Sequence, residues 1–165
     1  MIAYTHLKTP IGPLFLAKSD KGLCRVGLPG KSEESTLSWL AKQFPQETIA
    51  KNDGALKCET AQLREYFRGK RESFTFPLDL RTTTFRHKAL QAVHDIPYGE
   101  TASYKEIAQR MGAPTAVRAV GSANATNPIP IVIPCHRVLS HDGSLGGYGG
   151  GLKMKSWLLA HEGAL

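Results

Sequence analysis

The run Ile131-Val132-Ile133-Pro134-Cys135-His136-Arg137-Val138 constrains the fold of this chain more than any other stretch. Three consecutive β-branched residues favour a short buried strand, and Pro134 stops that strand because it has no N–H to give to a ladder. A thiol, an imidazole and a guanidinium follow at once. Two readings of Cys135 stand on these residues: an inert buried cysteine, a common fate of a free thiol, or a nucleophile held at the end of a rigid strand.

The surroundings of this run decide how much weight each reading deserves. At 165 residues, the chain is long enough to bury a core without disulfides. Its three cysteines, Cys24, Cys58 and Cys135, are an odd number with no close pairing. That argues for a reducing, cytoplasmic setting. Neither Cys24 nor Cys58 has cysteine or histidine partners at zinc spacing, so no metal is expected. No apolar run is long enough to cross a bilayer, and the first residues lack the layout of a signal peptide. No membrane partner is expected. The formal charge of +7 is shared, with 13 basic against 9 acidic residues up to residue 84 and 8 against 5 after it. A basic surface of this kind suits a polyanion, but by itself does not separate a nucleic-acid binder from a basic enzyme.

The first part of the chain reads as strands Ile2 to His6, Leu14 to Ser19 and Leu23 to Leu28. The helix Ser32 to Phe44 follows, capped by Ser32, and then the helix Ala55 to Phe67. Phe74 to Leu80 is extended and leads to a polar linker that ends at Thr84. No residue before that point makes a convincing site. The second part is helical. Phe85 to Ile96 is periodic, Ser103 and Glu106 form a capping box for the helix Tyr104 to Met111, and Gly112-Ala113-Pro114 breaks it. Thr115 is expected to cap the next helix, Ala116 to Ala125. Helix, short glycine turn, helix is the layout of a helix-turn-helix. The expectation is therefore an α+β chain, with an N-terminal α/β domain over residues 1–84 and a mostly helical domain over 85–165.

The second helix of that pair carries almost no bulk: Ala119, Gly121, Ser122, Ala123 and Ala125. A mid-helix glycine costs about 1 kcal/mol relative to alanine, so Gly121 needs a reason. Tight packing in the core is one; close approach to a DNA groove, with Arg118 as the long cationic probe, is the other. The glycine-rich run Gly146-Gly147-Tyr148-Gly149-Gly150-Gly151 lacks the Lys-Ser/Thr of a phosphate loop. The last helix, Lys153 to Glu162, is expected to bury Met154, Trp157, Leu158 and Ala160 or their neighbours. It ends on an acid at the wrong end of the helix dipole, which calls for a partner.

Taken together, Asn127-Pro128, Pro134-Cys135-His136-Arg137-Val138, Gly147-Tyr148 with Gly150-Gly151, and Trp157-Leu158-Leu159 with His161-Glu162-Gly163 resemble the O6-alkylguanine-DNA alkyltransferases. The resemblance runs from about Phe85 to Gly163 and, less distinctively, into a ribonuclease H-like N-terminal domain. It implies DNA repair by direct reversal. The alkyl group leaves O6 of guanine, or less readily O4 of thymine, for the protein's own cysteine, once per molecule and without a cofactor. Cys135 would be the acceptor, His136 would serve it through a water, Glu162 would orient His136, and Asn127 would brace the loops. Tyr104 would lie at the guanine edge and help turn the nucleotide out of the stack, while Arg118 would enter the duplex in its place.

The resemblance further implies minor-groove docking through Arg118, Ala119, Gly121, Ser122, Ala123 and Asn124 of a monomer on double-stranded DNA. A base pocket would be made of Cys135, Val138, Tyr148, Gly149, Gly146, Pro130 and Lys155. The carbonyls of Cys135 and Val138 would accept from the guanine amino group. Glycines at 146 and 149 stand where relatives carry somewhat larger residues, so a roomier pocket that accepts bulky adducts is expected. A neighbouring imidazole should lower the thiol pKa.

Overall fold

In a computed structural model that describes all of residues 1–165, the chain divides into two compact units, Met1–Arg81 and Thr82–Leu165.

The first unit is a four-stranded sheet in the order β3-β2-β1-β4. Strands β1 (Ile2–Thr9), β2 (Gly12–Ser19) and β3 (Gly22–Gly27) form an antiparallel meander. Strand β4 (Ile49–Lys51) lies parallel to β1 through Ile2↔Ile49 and Tyr4↔Lys51. Leu14 to Ala17 are all buried without alternation, as in a sheet covered on both faces. Phe15 and Ala17 pack with Ile2, Cys24, Leu40 and Phe44, so helix α1 (Glu33–Gln43) covers their side. Helix α2 (Lys57–Phe67) packs against β1 and buries Leu63 and Tyr66 completely. Ser32 caps α1 by accepting from the Ser35 N–H, as the sequence predicts.

Two elements differ from expectation. Residues 53–56 form a separate 3-10 turn, with Asn52 as its cap, ahead of α2. The three-residue β4 has no periodicity to read and exists because β1 offers it an edge.

In the second unit, helices α3 (Thr84–His94), α4 (Tyr104–Arg110) and α5 (Val117–Ala125) pack on one another. Both arms of the capping box are made: the Glu106 N–H donates to Ser103 Oγ at 3.0 Å, and the Ser103 N–H donates to Glu106 Oε1 at 3.1 Å. Thr115 does not cap α5; Ala116 stands at its N-cap and offers no side-chain hydrogen bond. Strand β5 (Ala102–Ser103) pairs in parallel with β6 (Val138–Leu139).

The opening run is not the expected strand. All of Ile131 to Val138 is buried, but Ile131 sits at φ 73° and the Ile133 N–H turns back to the Ile129 carbonyl at 2.9 Å. Cys135–Arg137 is a 3-10 turn, and the strand comes after it. Prolines at 128, 130 and 134 leave this backbone short of donors. The β-branched residues fill the core from a turn instead. Helix α6 (Leu152–His161) buries Leu158 as expected, and the neighbours Lys155 and Leu159 take the other buried places; Met154 and Trp157 are half-buried and Ala160 is exposed.

Candidate active site

A cavity of about 370 Å³ opens beside Cys135 in the second unit. Tyr104 at the start of α4, Gly121, Asn124 and Ala125 of α5, and the loop residues Gly147, Tyr148 and Gly149 form its other walls. The 3-10 turn turns successive side chains by about a third of a circle, so Cys135, His136 and Arg137 point three ways. The thiol faces the cavity, while the imidazole and the guanidinium go into the protein.

Behind the thiol lies a buried ion cluster. The Glu162 carboxylate, at the C-cap of α6, accepts from His136 Nε2 at 2.8 Å and from Arg137 Nε and Nη2 at 2.8 and 3.0 Å. Arg137 gives its remaining nitrogen to the Ile96 carbonyl at 2.7 Å and lies over the Tyr98 ring. This answers the acid at the wrong end of the helix: two buried side chains hold it there. Arg137 is the residue that sequence reasoning left without a role. The available signal was a guanidinium two residues from the thiol inside an otherwise apolar run.

Burial pushes the His136 pKa down, with Glu162 opposing. The imidazole is thus neutral, with its proton on Nε2 toward Glu162 and a lone pair on Nδ1. His136 Nδ1 is buried and has no hydrogen-bond partner within the protein, and the same holds for Tyr148 Oη and Asn124 Oδ1. Asn124 and Tyr148 line the cavity, and the Tyr148 ring stands edge-on to His136. Buried polar atoms are seldom left unpaired, so three of them clustered around one thiol mark a place where a polar ligand binds.

The thiol itself contradicts expectation. Burial pushes Cys135 up to about 11, with the Asn127 amide and the Lys155 ammonium working the other way. A neutral imidazole supplies no charge to stabilise a thiolate, so the resting sulfur keeps its proton. Asn127 also ties the backbone together: its Nδ2 donates to the Ile133 carbonyl at 2.9 Å and its Oδ1 accepts from the Ile129 N–H at 2.9 Å.

Lys155 is completely buried, and burial lowers its pKa to about 8. Its ammonium donates to the carbonyls of Val138 at 2.6 Å, Gly147 at 3.2 Å and Leu145. Lys155 therefore fastens the glycine loop to β6 and is not a wall of the cavity. Tyr104 is half-buried, and desolvation raises its pKa, so its hydroxyl remains a donor.

Several expected positions need correction. Ala123 is fully buried in the core. Asn124 is buried as well, and its Nδ2 donates to the Cys135 carbonyl at 3.2 Å, so neither residue presents itself to an outside groove. Arg118, Ala119 and Ser122 are exposed on α5, and Gly121 is half-buried against Tyr104. Pro130 and Val138 are buried and do not line the cavity. The Cys135 carbonyl already accepts from both the Asn124 amide and the Val138 N–H, and the Val138 carbonyl accepts from Lys155, so the Cys135 carbonyl has no lone pair left for a guanine amino group. Gly146 does not enlarge the cavity. It holds φ 68°, and a Cβ there would lie 3.1 Å from Ser140 Oγ and 3.3 Å from Tyr104 Oη. Gly149, like Gly147, lines the cavity with open space where a side chain would stand.

Comparison with known proteins agrees with this arrangement in both units. Residues 84–164 match the 6-O-methylguanine DNA methyltransferase DNA-binding domain, and residues 2–80 match the ribonuclease-like domain of the same proteins. A methylated-DNA–protein-cysteine methyltransferase of Mycobacterium leprae is 44% identical over 98% of this chain and 93% of its own length. The crystal structure of Mycobacterium tuberculosis O6-methylguanine methyltransferase superposes with a TM-score of 0.86 at 41% identity, covering 99% of this chain and 94% of that one. The Mycobacterium tuberculosis OGT in complex with DNA gives 0.86 at 40% identity, covering 98% and 93%. The fold, the buried thiol with its ion cluster, and the span of these matches over both units lead to one conclusion: the chain belongs to the 6-O-methylguanine DNA methyltransferase family.

Proposed function

We propose that this protein is a methylated-DNA–protein-cysteine methyltransferase that repairs alkylated DNA by taking the alkyl group onto Cys135. The observation that carries the reading is a buried thiol on the wall of a base-sized cavity, ringed by unpaired polar atoms and backed by the His136–Glu162–Arg137 cluster. The target atom of an O6-alkylguanine lies inside the duplex, so the nucleotide turns out of the stack into this cavity. The exposed residues Arg118, Ala119 and Ser122 present α5 to the minor groove, with Arg118 filling the gap in the stack.

The Cys135 sulfur then attacks the alkyl carbon along the axis of the C–O6 bond. The S–C bond forms, the C–O6 bond breaks, and its electron pair goes to the guanine. Tyr104 Oη and the Gly149 N–H are donors of the right kind to stabilise that developing charge. The thiol proton passes through a bridging water to His136 Nδ1, and Glu162 stabilises the imidazolium that results. Lys155 lends its positive field to the sulfur while it is charged. Arg137 acts at one remove, by holding Glu162. The product is a thioether that no nearby group can cleave, so each molecule works once. O4-alkylthymine presents a similar alkyl ether and is a poorer substrate of the same pocket.

Incubation with a duplex carrying O6-methylguanine, followed by intact-mass measurement, tests the reading. One added methylene per molecule on Cys135, with no further substrate consumed, is the expected result. Repeated turnover, or a methyl group on another residue, overturns it.

A further inference from the structure

A second cavity, of about 350 Å³, lies in the first unit, where no site was expected from the sequence. It is bounded by Thr5 and His6 of β1, Lys51 at the end of β4, Asp53, and one face of α2. Lys57, Thr60 and Arg64 share that face, because three and then four residues separate them. The topology makes the convergence. Parallel pairing of β4 with β1 sets Lys51 opposite Tyr4, and the turn that follows brings α2 across.

The charges in this cavity do not cancel. Lys18, Arg71 and Arg81 elsewhere in the unit each have a carboxylate partner. Lys51, Lys57 and Arg64 have none. Asp53 is the one acid on the lining, and its Oδ1 accepts from the Thr5 hydroxyl at 2.7 Å. His6 pairs with Glu33, outside the cavity. No group of acidic, histidine or cysteine side chains in the chain is arranged to hold a metal ion. The lining carries three cations against one acid, a balance that favours an anion.

Ammonium and guanidinium groups converging from separate elements are the usual recognition chemistry of phosphate. We propose that the cavity lined by Lys51, Lys57 and Arg64 binds a phosphate group, separately from the Cys135 site. The phosphate belongs either to a nucleic-acid backbone, with one negative charge, or to a small phosphate ester, with up to two; both present anionic phosphoryl oxygens to the same three side chains.

Amide NMR spectra of the intact chain test this, in titrations with inorganic phosphate, a nucleoside 5′-monophosphate, and a short undamaged duplex. Sodium chloride at equal ionic strength serves as control. Saturable shifts at Thr5, Lys51 and Arg64 are expected, weakened at least tenfold in the Lys57→Gln/Arg64→Gln variant. Both replaced residues are exposed, so that variant keeps its fold and its melting temperature. If the duplex is the occupant, the variant also lowers the slope of log affinity against log salt by about 2. If only the two small phosphates titrate, the occupant is a phosphate ester. Absence of saturable shifts with all three probes overturns the proposal. So do equal shifts in the variant, or the same shifts from sodium chloride.

Discussion

Cys24 and Cys135 are both buried, and burial raises both thiols, to about 12 and about 11. Only one of them faces a cavity. Cys24 lies in the sheet core of the first unit, gives its S–H to the Ala17 carbonyl at 3.4 Å, and feels Asp79 push its pKa higher. Cys135 has an amide and an ammonium working against the rise, and a neutral imidazole on the next residue with a lone pair unused. Burial alone therefore makes a cysteine inert. Burial beside donors, a proton acceptor and a ligand-sized space is what the proposed nucleophile needs, a thiol that stays protonated until a substrate arrives.

The comparison breaks most sharply at the sulfur. Cys135→Ala is expected to abolish alkyl transfer while retaining duplex binding. Cys24→Ala should keep the transfer rate within about twofold and lose about 1–2 kcal/mol of stability from the core. Intact mass and urea unfolding read the two effects. Residual transfer by Cys135→Ala, or loss of transfer by Cys24→Ala, removes the distinction.

The next largest effect concerns what stands behind each thiol. Glu162→Ala leaves the Arg137 guanidinium buried and uncompensated, so a loss of about 3–5 kcal/mol is expected, together with slower transfer. The ion pair that Cys24 feels, Asp79 with Arg81, keeps its guanidinium exposed, so breaking it costs much less. Denaturant midpoints of Glu162→Ala within error of the parent would contradict the account of the cluster.

Arg118→Ala should act on DNA alone. Its expected signature is a salt slope lower by about 1 on an undamaged duplex, with unchanged transfer from a free O6-benzylguanine base. Equal loss on both substrates would place Arg118 in the chemistry instead of the groove.

Alkaline titration gives the finest resolution. Each thiol has a folded pKa above its ordinary value near 9, so between the two values the folded state holds a proton that the unfolded state has released. Stability is then fully present below pH 9 and declines as pH rises, up to about 11 for Cys135 and about 12 for Cys24. Replacing either cysteine with alanine should flatten its part of that decline, measured by urea unfolding at pH 8 and pH 10.5. His136 carries the other sign. Its lowered pKa means that stability is present above the ordinary histidine range and falls as the solution is acidified through it.

Much of the fold was legible because it rests on local chemistry. The Ser32 cap, the Ser103–Glu106 capping box and the breaks at Gly112 and Pro114 act within a few residues, and the structure keeps them. The Ile131–Ile133 run was misread for the complementary reason. β-branching reports that a residue will be buried on an extended or constrained backbone, but a strand needs a partner ladder, and β5 supplies one only from Val138, immediately after Arg137. β4 was missed because three residues carry no period, and the phosphate-like cavity was missed because it depends on that strand.

The sequence by itself determined that Cys135 sits in a buried, proline-stopped run among His136, Arg137 and Val138, and that this order of residues belongs to one family. Tertiary structure decided which groups meet. It brought Glu162 from 26 residues away onto His136, closed Arg137 around the same carboxylate, and placed Lys155 behind the glycine loop. It also turned Asn124 inward from the face where a groove binder would show it. Periodicity fixes how much of a residue is covered, but the partner of a buried charge is chosen by three-dimensional proximity, and a pKa follows the partner. The thiol that looked acidic from its neighbour in sequence is held protonated by its neighbours in space.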